Sequence, residues 1–378
     1  MLTLFKVKNF SVIVKNSCFV PWNMHYYMLG VNMSFSRTKR NAIEQYMLEK
    51  IAASEPDVVL KTREAFSLSL NTVYRYLNTL IAEGSVKKHR NGVYSVISRS
   101  EQFTLARNLG ELEDEQKIYE KRIFPEYIAG LPENVQKIWD FSFTEMMNNA
   151  IDHSSAKTVT CFISYNKAFT MIAIYDNGIG AFRNIMNWFG LDSIDDAIAE
   201  LFKGRVTTDS ENHSGEGIFF TSRYLDDFAI LSSGKVFSHN KFDEISADVK
   251  DIEGLENWEN RPGTVVVMKQ SNISNRRVEE IIARFSDEDT NEFSKTSIPI
   301  KDFFETYPVS RSQAKRLCAR LNVFKEIELD FTGVPDMGQG FADEVFRVFQ
   351  NRNPEVTITA VNMSENVGRM YQHVKNRE

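Results

Sequence analysis

Four short motifs in a fixed order constrain the fold of this chain more than any other feature. They are Glu145 with Asn149, Asp176-Asn-Gly-Ile-Gly180, Gly215-Glu-Gly-Ile218 and Gly263-Thr264. Each motif alone is common, and a Glu four residues before an Asn occurs by chance on many helices. Their succession within residues 133–272 is far more specific, and it predicts one domain built around a shared cavity.

The first motif lies in a segment with helical periodicity that starts at Glu133. Glu145 and Asn149 are four residues apart, so both project from the same side of the helix. An Asn side-chain oxygen can bind a magnesium ion that bridges phosphates, and a carboxylate one turn earlier can orient or deprotonate a nucleophile. The spacing predicts Asn149 as a metal ligand and Glu145 as the catalytic residue.

The second motif follows two predicted strands, residues 158–164 and 169–175, which are rich in β-branched and aromatic residues. A carboxylate at the end of a strand, followed by two glycines that let the backbone approach closely, suits an adenine pocket. We expect Asp176 to accept a hydrogen bond from the adenine amino group.

The last two motifs supply a phosphate site and a hydroxyl. Gly215 and Gly217 precede an apolar helix, whose first backbone amides can hold phosphate oxygens. The predicted strand 263–268 places the Thr264 hydroxyl where a base edge, or water bound to it, would lie.

Taken together, ExxxNAxDH (Glu145 to His153), DNGIG, GEGI and GT resemble the successive boxes of the GHKL ATP-binding domains. The resemblance implies an α/β sandwich, with a mixed sheet behind helices and ATP with Mg²⁺ in the cleft. It also implies a mobile lid over residues 189–214, which include Lys203, Gly204, Arg205, Thr207 and Thr208. The implied ATP contacts are Asn149, Asp152, His153, Asp176, Gly178, Gly180, Lys203, Gly215, Gly217, Ile218 and Thr264.

The motifs do not distinguish between two branches of the GHKL family, the protein kinases and the ATPases. The run ExxxNAxxH looks most like the anti-sigma-factor serine kinases, whereas a glutamate at this place also serves as the base in the ATPases. Sensor histidine kinases carry a phosphoacceptor histidine upstream, and no histidine lies between His89 and His153. A regulator that binds or hydrolyses ATP and a serine/threonine protein kinase are therefore both retained.

A separate, basic module precedes this domain. Residues 36–98 carry ten Lys or Arg against six Asp or Glu, while the chain after Ser98 carries 32 against 45. Amphipathic helices are predicted at 39–53, 62–66 and 71–83, with Gly84 ending the third, followed by strands 85–88 and 93–96 around an Asn-Gly turn. The stretch SLSLNTVYRYLNTLIAEGSVKKHRNGVYSV resembles bacterial winged helix-turn-helix regulators.

This resemblance implies a DNA-binding surface. Its expected contacts are Asn71, Thr72, Tyr74, Arg75 and Asn78 on the third helix, with Lys87, Lys88 and Arg90 on phosphates. The buried face of the third helix would be Val73, Leu77, Leu80 and Ile81. Winged helices also serve as dimerisation or protein-docking modules, so this alternative and a homodimer stay open, and His89 is interpreted as a surface residue of the wing.

The C-terminal part alternates helices and strands. A helix is predicted at 308–321, a strand at 326–331, a loop at 332–340, a helix at 341–349 and a strand at 355–360. The segment LDFTGVPDMGQGFADEVFRVF resembles STAS-like domains, whose loop presents a phosphorylated serine in anti-sigma-factor antagonists. The loop tip here, residues 337–340, has no hydroxyl, so Thr332 and Ser310 remain as targets beside a docking or intramolecular regulatory role.

The sequence therefore predicts a multidomain α/β protein. Its parts are an unassigned tail (1–35), a winged helix (36–98), a linker helix (99–132), the GHKL domain (133–272) and a STAS-like domain (290–378). Three scattered cysteines and the lack of a long apolar run predict a cytoplasmic protein without disulfides, structural zinc or membrane spans. The expected partners are ATP, double-stranded DNA and a regulatory protein that binds the STAS-like domain.

Overall fold

The structure is a computed structural model. It describes residues 4–7, 10–13, 37–206, 215–239, 255, 257–287, 289–304 and 306–376. The chain forms two compact units, residues 1–97 and 98–378. In the described ranges, no helix is both long enough and apolar enough to cross a bilayer.

The described residues of the first unit form two antiparallel strand pairs and three helices. Strands β1 (Leu4–Val7) and β2 (Phe10–Ile13) pair antiparallel. The helices are α1 (Arg37–Ala52), α2 (Val58–Phe66) and α3 (Leu70–Ala82), and the second hairpin joins β3 (Val86–Lys88) to β4 (Tyr94–Val96) through a 3-10 turn at Arg90–Gly92. All five elements predicted between residues 39 and 96 are confirmed.

Helix α3 has clear start and stop signals. The Ser69 hydroxyl accepts the Thr72 N–H at 3.2 Å, which caps the first turn. Gly84 has φ +72° and donates its N–H to the Ile81 carbonyl, so it ends the helix as predicted. The buried face is Val73, Tyr76, Leu77 and Leu80. Ile81, predicted to be buried, is half-buried, and Tyr76 is buried in addition to the predicted residues.

A six-stranded sheet is the centre of the second unit. Its strands are β5 (Arg99–Ala106), β6 (Thr158–Tyr165), β7 (Phe169–Asp176), β8 (Asp227–Ser232), β9 (Lys235–Ser238) and β10 (Thr264–Ser271). The spatial order is β5-β6-β7-β10-β8-β9, and every neighbouring pair is antiparallel. The prediction of a mixed sheet is therefore wrong. Short turns at 166–168 and 233–234 join β6 to β7 and β8 to β9 directly as antiparallel hairpins.

Helices cover one face of this sheet. They are α4 (Glu115–Ile118), continued by a π-helical segment (Tyr119–Ile128), then α5 (Glu133–Asp152), α6 (Ala181–Phe189), α7 (Ile194–Lys203), α8 (Gly217–Tyr224) and α9 (Val278–Phe285). Ile172 and Ile174 of β7 face the helices, while Met171 and Ala173 belong to a smaller cluster on the other face with Trp258. Strand β7 is thus buried on both faces.

The segment 99–132, expected to be a linker helix, is part of this body. Its first eight residues form β5, which pairs with β6 along its whole length. Ile123 and Ile128 are fully buried in the main core. The strand was missed because only Phe103 and Leu105 of β5 face inward, so its alternation is weak.

A three-stranded parallel sheet follows. Its order is β11 (Lys295–Pro299), β12 (Glu326–Asp330) and β13 (Thr357–Val361). The associated helices are α10 (Ile300–Phe303), α11 (Arg311–Cys318), α12 (Gln339–Asp343), which continues through a π segment (Glu344–Phe349) and a final turn (Gln350–Arg352), and α13 (Glu365–Lys375). The helix, strand and loop order predicted from residue 308 is confirmed.

The two sheets share one hydrophobic core. A single buried cluster extends from Leu105 to Val374. At its centre Phe219 of α8 lies 5.0 Å from the Phe285 ring and 4.5 Å from the Phe293 ring, measured between centroids. The segments predicted as separate domains, 133–272 and 290–378, are therefore packed together in the second unit.

Candidate functional site

Two sequence-predicted residues lie side by side at one end of the six-stranded sheet. Asp176 is the last residue of β7 and Thr264 the first of β10, and the antiparallel register places them directly opposite each other. The two residues are 4% and 5% exposed, respectively. Their side chains are therefore brought to one buried position from segments that are far apart in sequence.

The electrostatics of Asp176 follow from its burial. Desolvation raises the pKa of the carboxyl to about 6, against the effect of hydrogen bonds from Gly178 and Thr264. The Gly178 N–H donates to Asp176 Oδ1 at 2.9 Å. Thr264 is also tied to the next element, because its hydroxyl oxygen accepts the Ala181 N–H at 2.9 Å at the start of α6.

Glycines are required where the backbone closes around this pair. A Cβ on Gly178 would overlap the Ser154 carbonyl oxygen, and one on Gly263 would overlap the Asp176 carbonyl oxygen. Gly180 has φ +89° and Gly263 has φ +93°, a backbone region that side chains disfavour. Gly178 and Gly180 thus allow close approach within the chain itself, to Ser154 and Ser232, while their predicted approach to a nucleotide stays a prediction.

The same loop is joined to the end of α5. The Ile179 N–H donates to the Ser154 carbonyl at 2.9 Å, and the Asn184 amide donates to the His153 carbonyl at 3.2 Å. Asp152 is exposed and His153 is half-buried at this junction. The structure thus brings the predicted residues at the end of α5 close to the loop that follows Asp176.

Glu145 meets the start of α8. A Cβ on Gly217 would overlap Glu145 Oε2, so the first residue of α8 packs directly against the carboxylate. Asn149 lies one turn further along α5, and both side chains are half-buried. Gly215 and Ile218 flank this contact on the α8 side and are also half-buried.

Lys203, predicted as a phosphate ligand, has a different position. Its side chain is 2% exposed, and its ammonium donates to Glu200 Oε1 at 2.6 Å and to the carbonyls of Arg316 and Ala319, both at 2.9 Å. Burial lowers the pKa of Lys203, while Glu200 opposes that shift. In this structure Lys203 is engaged at the C-terminal end of α11, so it is removed from the set of ATP contacts.

The predicted lid over residues 189–214 lies only partly within the described residues. Its middle, residues 194–203, forms α7, whose residues Ala197 and Leu201 are buried in the main core. Residues 207–214, with Thr207, Thr208, His213 and Ser214, lie outside the described residues. A mobile lid over all of 189–214 is therefore not supported for the part that forms α7.

One positioning residue was missed from sequence. The Arg107 guanidinium, just after β5, donates to the carbonyls of Ile151 at 2.6 Å and Ala156 at 2.9 Å. These contacts satisfy the end of α5, where helix carbonyls lack internal partners. An arginine immediately after an alternating segment would have been the only sequence signal.

In the first unit, most of the predicted nucleic-acid contacts share one exposed face of α3. Asn71, Tyr74, Arg75 and Asn78 are exposed, and with Thr79 and Ala82 they line a surface depression of about 480 Å³. Thr72 is half-buried, and its hydroxyl lies 2.9 Å from the Ser69 hydroxyl within the helix cap. Lys87, Lys88 and Arg90 are exposed on the hairpin, as is His89.

Among the described residues, no group of three or more His, Cys, Asp or Glu side chains could hold a metal ion. A magnesium ion at Asn149 would therefore take most of its ligands from phosphates and water, as magnesium commonly does. The amide oxygen of Asn149 fits that limited role.

Comparison with known proteins concerns the C-terminal part. Residues 313–367 match the model of a family described as a STAS-like domain of unknown function (DUF4325). The matched region extends from α11 through β12, α12 and β13 into α13. No curated protein matches the chain. The C-terminal part is thus STAS-like, as the segment around residues 329–349 predicts.

Proposed function

We propose that residues 133–272 form a GHKL-type ATP-binding domain whose nucleotide state controls the winged helix of residues 36–98 and the STAS-like domain. The observation that carries the proposal is the convergence of motifs distant in sequence. Asp176 and Thr264 are paired across two strands, and Gly217 packs against Glu145. Motifs that occurred by chance would not be expected to lie next to each other in the folded chain.

Each residue has a role that its position allows. The Asp176 carboxylate would accept a hydrogen bond from the adenine amino group, with Thr264 beside it. Gly178 and Gly180 would let the loop after Asp176 pack closely against Ser154 and Ser232. The first amides of α8 would donate to phosphate oxygens, because the helix N-terminus favours anions. Asn149 would hold the magnesium ion that comes with ATP.

Glu145 would supply the chemistry of hydrolysis. Its carboxylate touches the first residue of α8, where the phosphates would bind. A carboxylate in that place can orient a water molecule and take its proton during attack on the terminal phosphate. Hydrolysis would then reset the regulatory state, since ADP and ATP differ in their contacts with α8.

The first unit supports DNA as the regulated partner. The face of α3 between Asn71 and Asn78 is solvent-exposed and contains Arg75, while Lys87, Lys88 and Arg90 extend the positive charge onto the hairpin. A helix face with base-reading side chains and flanking cations fits major-groove binding.

A serine/threonine kinase acting on its own STAS-like domain is the second candidate. Thr332 is exposed and donates its hydroxyl to Asp330 Oδ1 at 2.7 Å, so a carboxylate is in place to receive the hydroxyl proton. Ser310 fits less well, because its side chain forms the capping box of α11 with Gln313. Thr332 is therefore the favoured acceptor in this candidate.

Two measurements test the proposal. Calorimetry with magnesium and a non-hydrolysable ATP analogue should detect saturable binding, and absence of binding to folded protein would reject the ATP site. Incubation with γ-labelled ATP then separates the candidates by the fate of the phosphate. Free phosphate alone supports the switch, whereas label on the protein that disappears in Thr332→Val supports the kinase.

A further inference from the structure

Helices α7 and α11 are held together by a polar clasp, defined here as Asp196, Glu200, Lys203, Arg316 and Arg320. The Lys203 ammonium is buried between Glu200 and the two carbonyls at the end of α11. These carbonyls have no partner within their own helix, so the lysine satisfies them. The contact joins the STAS-like domain to a helix near the candidate ATP site.

Two arginines of the STAS-like domain reinforce this contact. Arg316 Nε lies 2.7 Å from Asp196 Oδ1, and an Arg316 Nη donates to the Asp195 carbonyl at 3.0 Å. The Arg320 guanidinium lies 3.9 Å from the centre of the Phe189 ring and 3.7 Å from Glu200 Oε2. The clasp therefore contacts both ends of α7.

Residues 203–206, at the end of α7 and just after it, connect the clasp to α8. The Thr296 hydroxyl of β11 donates to the Lys203 carbonyl at 2.7 Å. The next residue, Gly204, packs so closely on the Phe219 ring of α8 that an added Cβ would lie 2.7 Å from it. The Val206 N–H donates to the Gly215 carbonyl at 3.1 Å, just before α8 begins.

We propose that this clasp makes the STAS-like domain a regulator of the ATP site in the same chain. By fixing α7 and Gly204, the clasp holds the first turn of α8 against Glu145 in the arrangement that receives phosphate. A pre-organised site binds more tightly than one that must be ordered on binding. Any partner that draws α11 away from α7 would lower nucleotide affinity, and nucleotide would in turn oppose that partner. This inference rests on the proposed function.

The test compares Arg316→Gln with Arg311→Gln in the full-length chain. Arg316 faces α7, whereas Arg311, on the same helix, pairs with Asp343 inside the STAS-like domain at 3.0 Å. Amide hydrogen exchange of residues 215–224 without nucleotide, and calorimetry with Mg-ADP, are the two measurements. We expect Arg316→Gln to raise the exchange rate and to weaken ADP binding by roughly five- to tenfold, with Arg311→Gln like the wild type.

Asp196→Asn removes the same ion pair from the α7 side and should reproduce the effect if Arg316→Gln does not fold. Unchanged ADP affinity in a folded clasp variant, or tighter binding, overturns the inference. If the wild type itself binds no ADP, the ATP site is rejected and the inference falls with it. If the wild type binds and both variants bind equally, only the coupling is rejected.

Discussion

The Asp176 carboxyl lies at the end of β7, 4% exposed, and burial raises its pKa to about 6. Above that pH it is charged in a poorly solvated position. Such a charge costs stability in the free protein, but it offers a strong acceptor to a ligand that donates a hydrogen bond.

Asp176→Asn should therefore separate stability from binding. The folded-state pKa lies above the ordinary value of 3.8, so the folded protein binds more protons than the unfolded chain between about pH 4 and 6. The contribution of Asp176 to the free energy of unfolding falls as the pH rises through this window. At pH 7.5 we expect Asp176→Asn to be more stable by about 1–3 kcal/mol, while ATP affinity falls roughly 10- to 100-fold.

Chemical denaturation at two pH values and calorimetry measure these effects. At pH 4 the aspartic acid is mostly protonated, so the wild type and the variant should differ least, which provides the internal control. A variant that is less stable at pH 7.5, or that binds ATP normally, would contradict the assigned role of Asp176.

Glu145 and Asn149 are expected to differ in what they contribute. Glu145→Gln keeps the shape that packs against Gly217 but removes the base, so hydrolysis should fall about 10²- to 10⁴-fold with binding retained. Asn149→Ala removes the proposed magnesium ligand and should weaken Mg-ATP binding. Phosphate release measures hydrolysis by the two variants, and calorimetry measures their Mg-ATP affinity. Equal losses of affinity in both would show that Glu145 and Asn149 do not have distinct roles.

At the scale of elements, α3 and its hairpin form a compact surface with one exposed, partly basic face. Hydrophobic periodicity predicts these elements because their partners are local: α1, α2 and α3 pack on one another within about 50 residues. The prediction missed the inward place of Tyr76 instead of Ile81 and the half-buried position of Thr72 in the helix cap. Helical periodicity predicts which side of the helix each side chain lies on. The neighbouring helices determine whether residues at the edge of the apolar face, such as Tyr76 and Ile81, are buried.

If this face binds DNA, its residues should have separable effects. Arg75→Ala should weaken binding to a duplex several-fold, and Lys87→Ala or Lys88→Ala should lower the salt dependence by about one released ion each. Arg40→Ala, an exposed change on α1, serves as the control. Fluorescence anisotropy at several salt concentrations gives both quantities. Equal losses in Arg75→Ala and Arg40→Ala would indicate only non-specific charge effects.

At the scale of the whole molecule, the chain forms two compact units, and the two sheets of residues 98–378 share one large buried cluster. We expect two unfolding transitions in scanning calorimetry. Leu77→Ala, at a fully packed position of α3, should lower the free energy of unfolding of the first unit by about 2–5 kcal/mol without changing the other transition. Leu329→Ala in β12 should affect only the second unit.

Three transitions, or independent melting of residues 98–289 and 290–378, would contradict a shared core. The aromatic contact of Phe219 with Phe293 gives the physical reason for expecting cooperativity, since neither sheet region can unfold without exposing the other.

Local pattern alone determined much of this protein: helices α1, α3 and α5, strands β6, β7 and β10, and the STAS-like order of the C-terminal part. It also singled out Glu145, Asp176, Gly217 and Thr264, because spacing and flanking glycines carry chemical meaning without knowledge of distant contacts. These signals lie within one element or between neighbours in sequence. The assignment of an ATP site remains a proposal built on them.

Only the tertiary structure decided the rest. Strand β5 belongs to the sheet because its backbone pairs with that of β6. The sheet is antiparallel because β7 pairs with β10 and β10 pairs with β8, and these partners are distant in sequence. Lys203 lies in the clasp because its ammonium forms hydrogen bonds with Glu200 and with two carbonyls at the end of a helix more than 100 residues away. Glu200 is a local partner, three residues earlier on α7. The two carbonyls come from a distant helix, so only folding brings them to the buried ammonium.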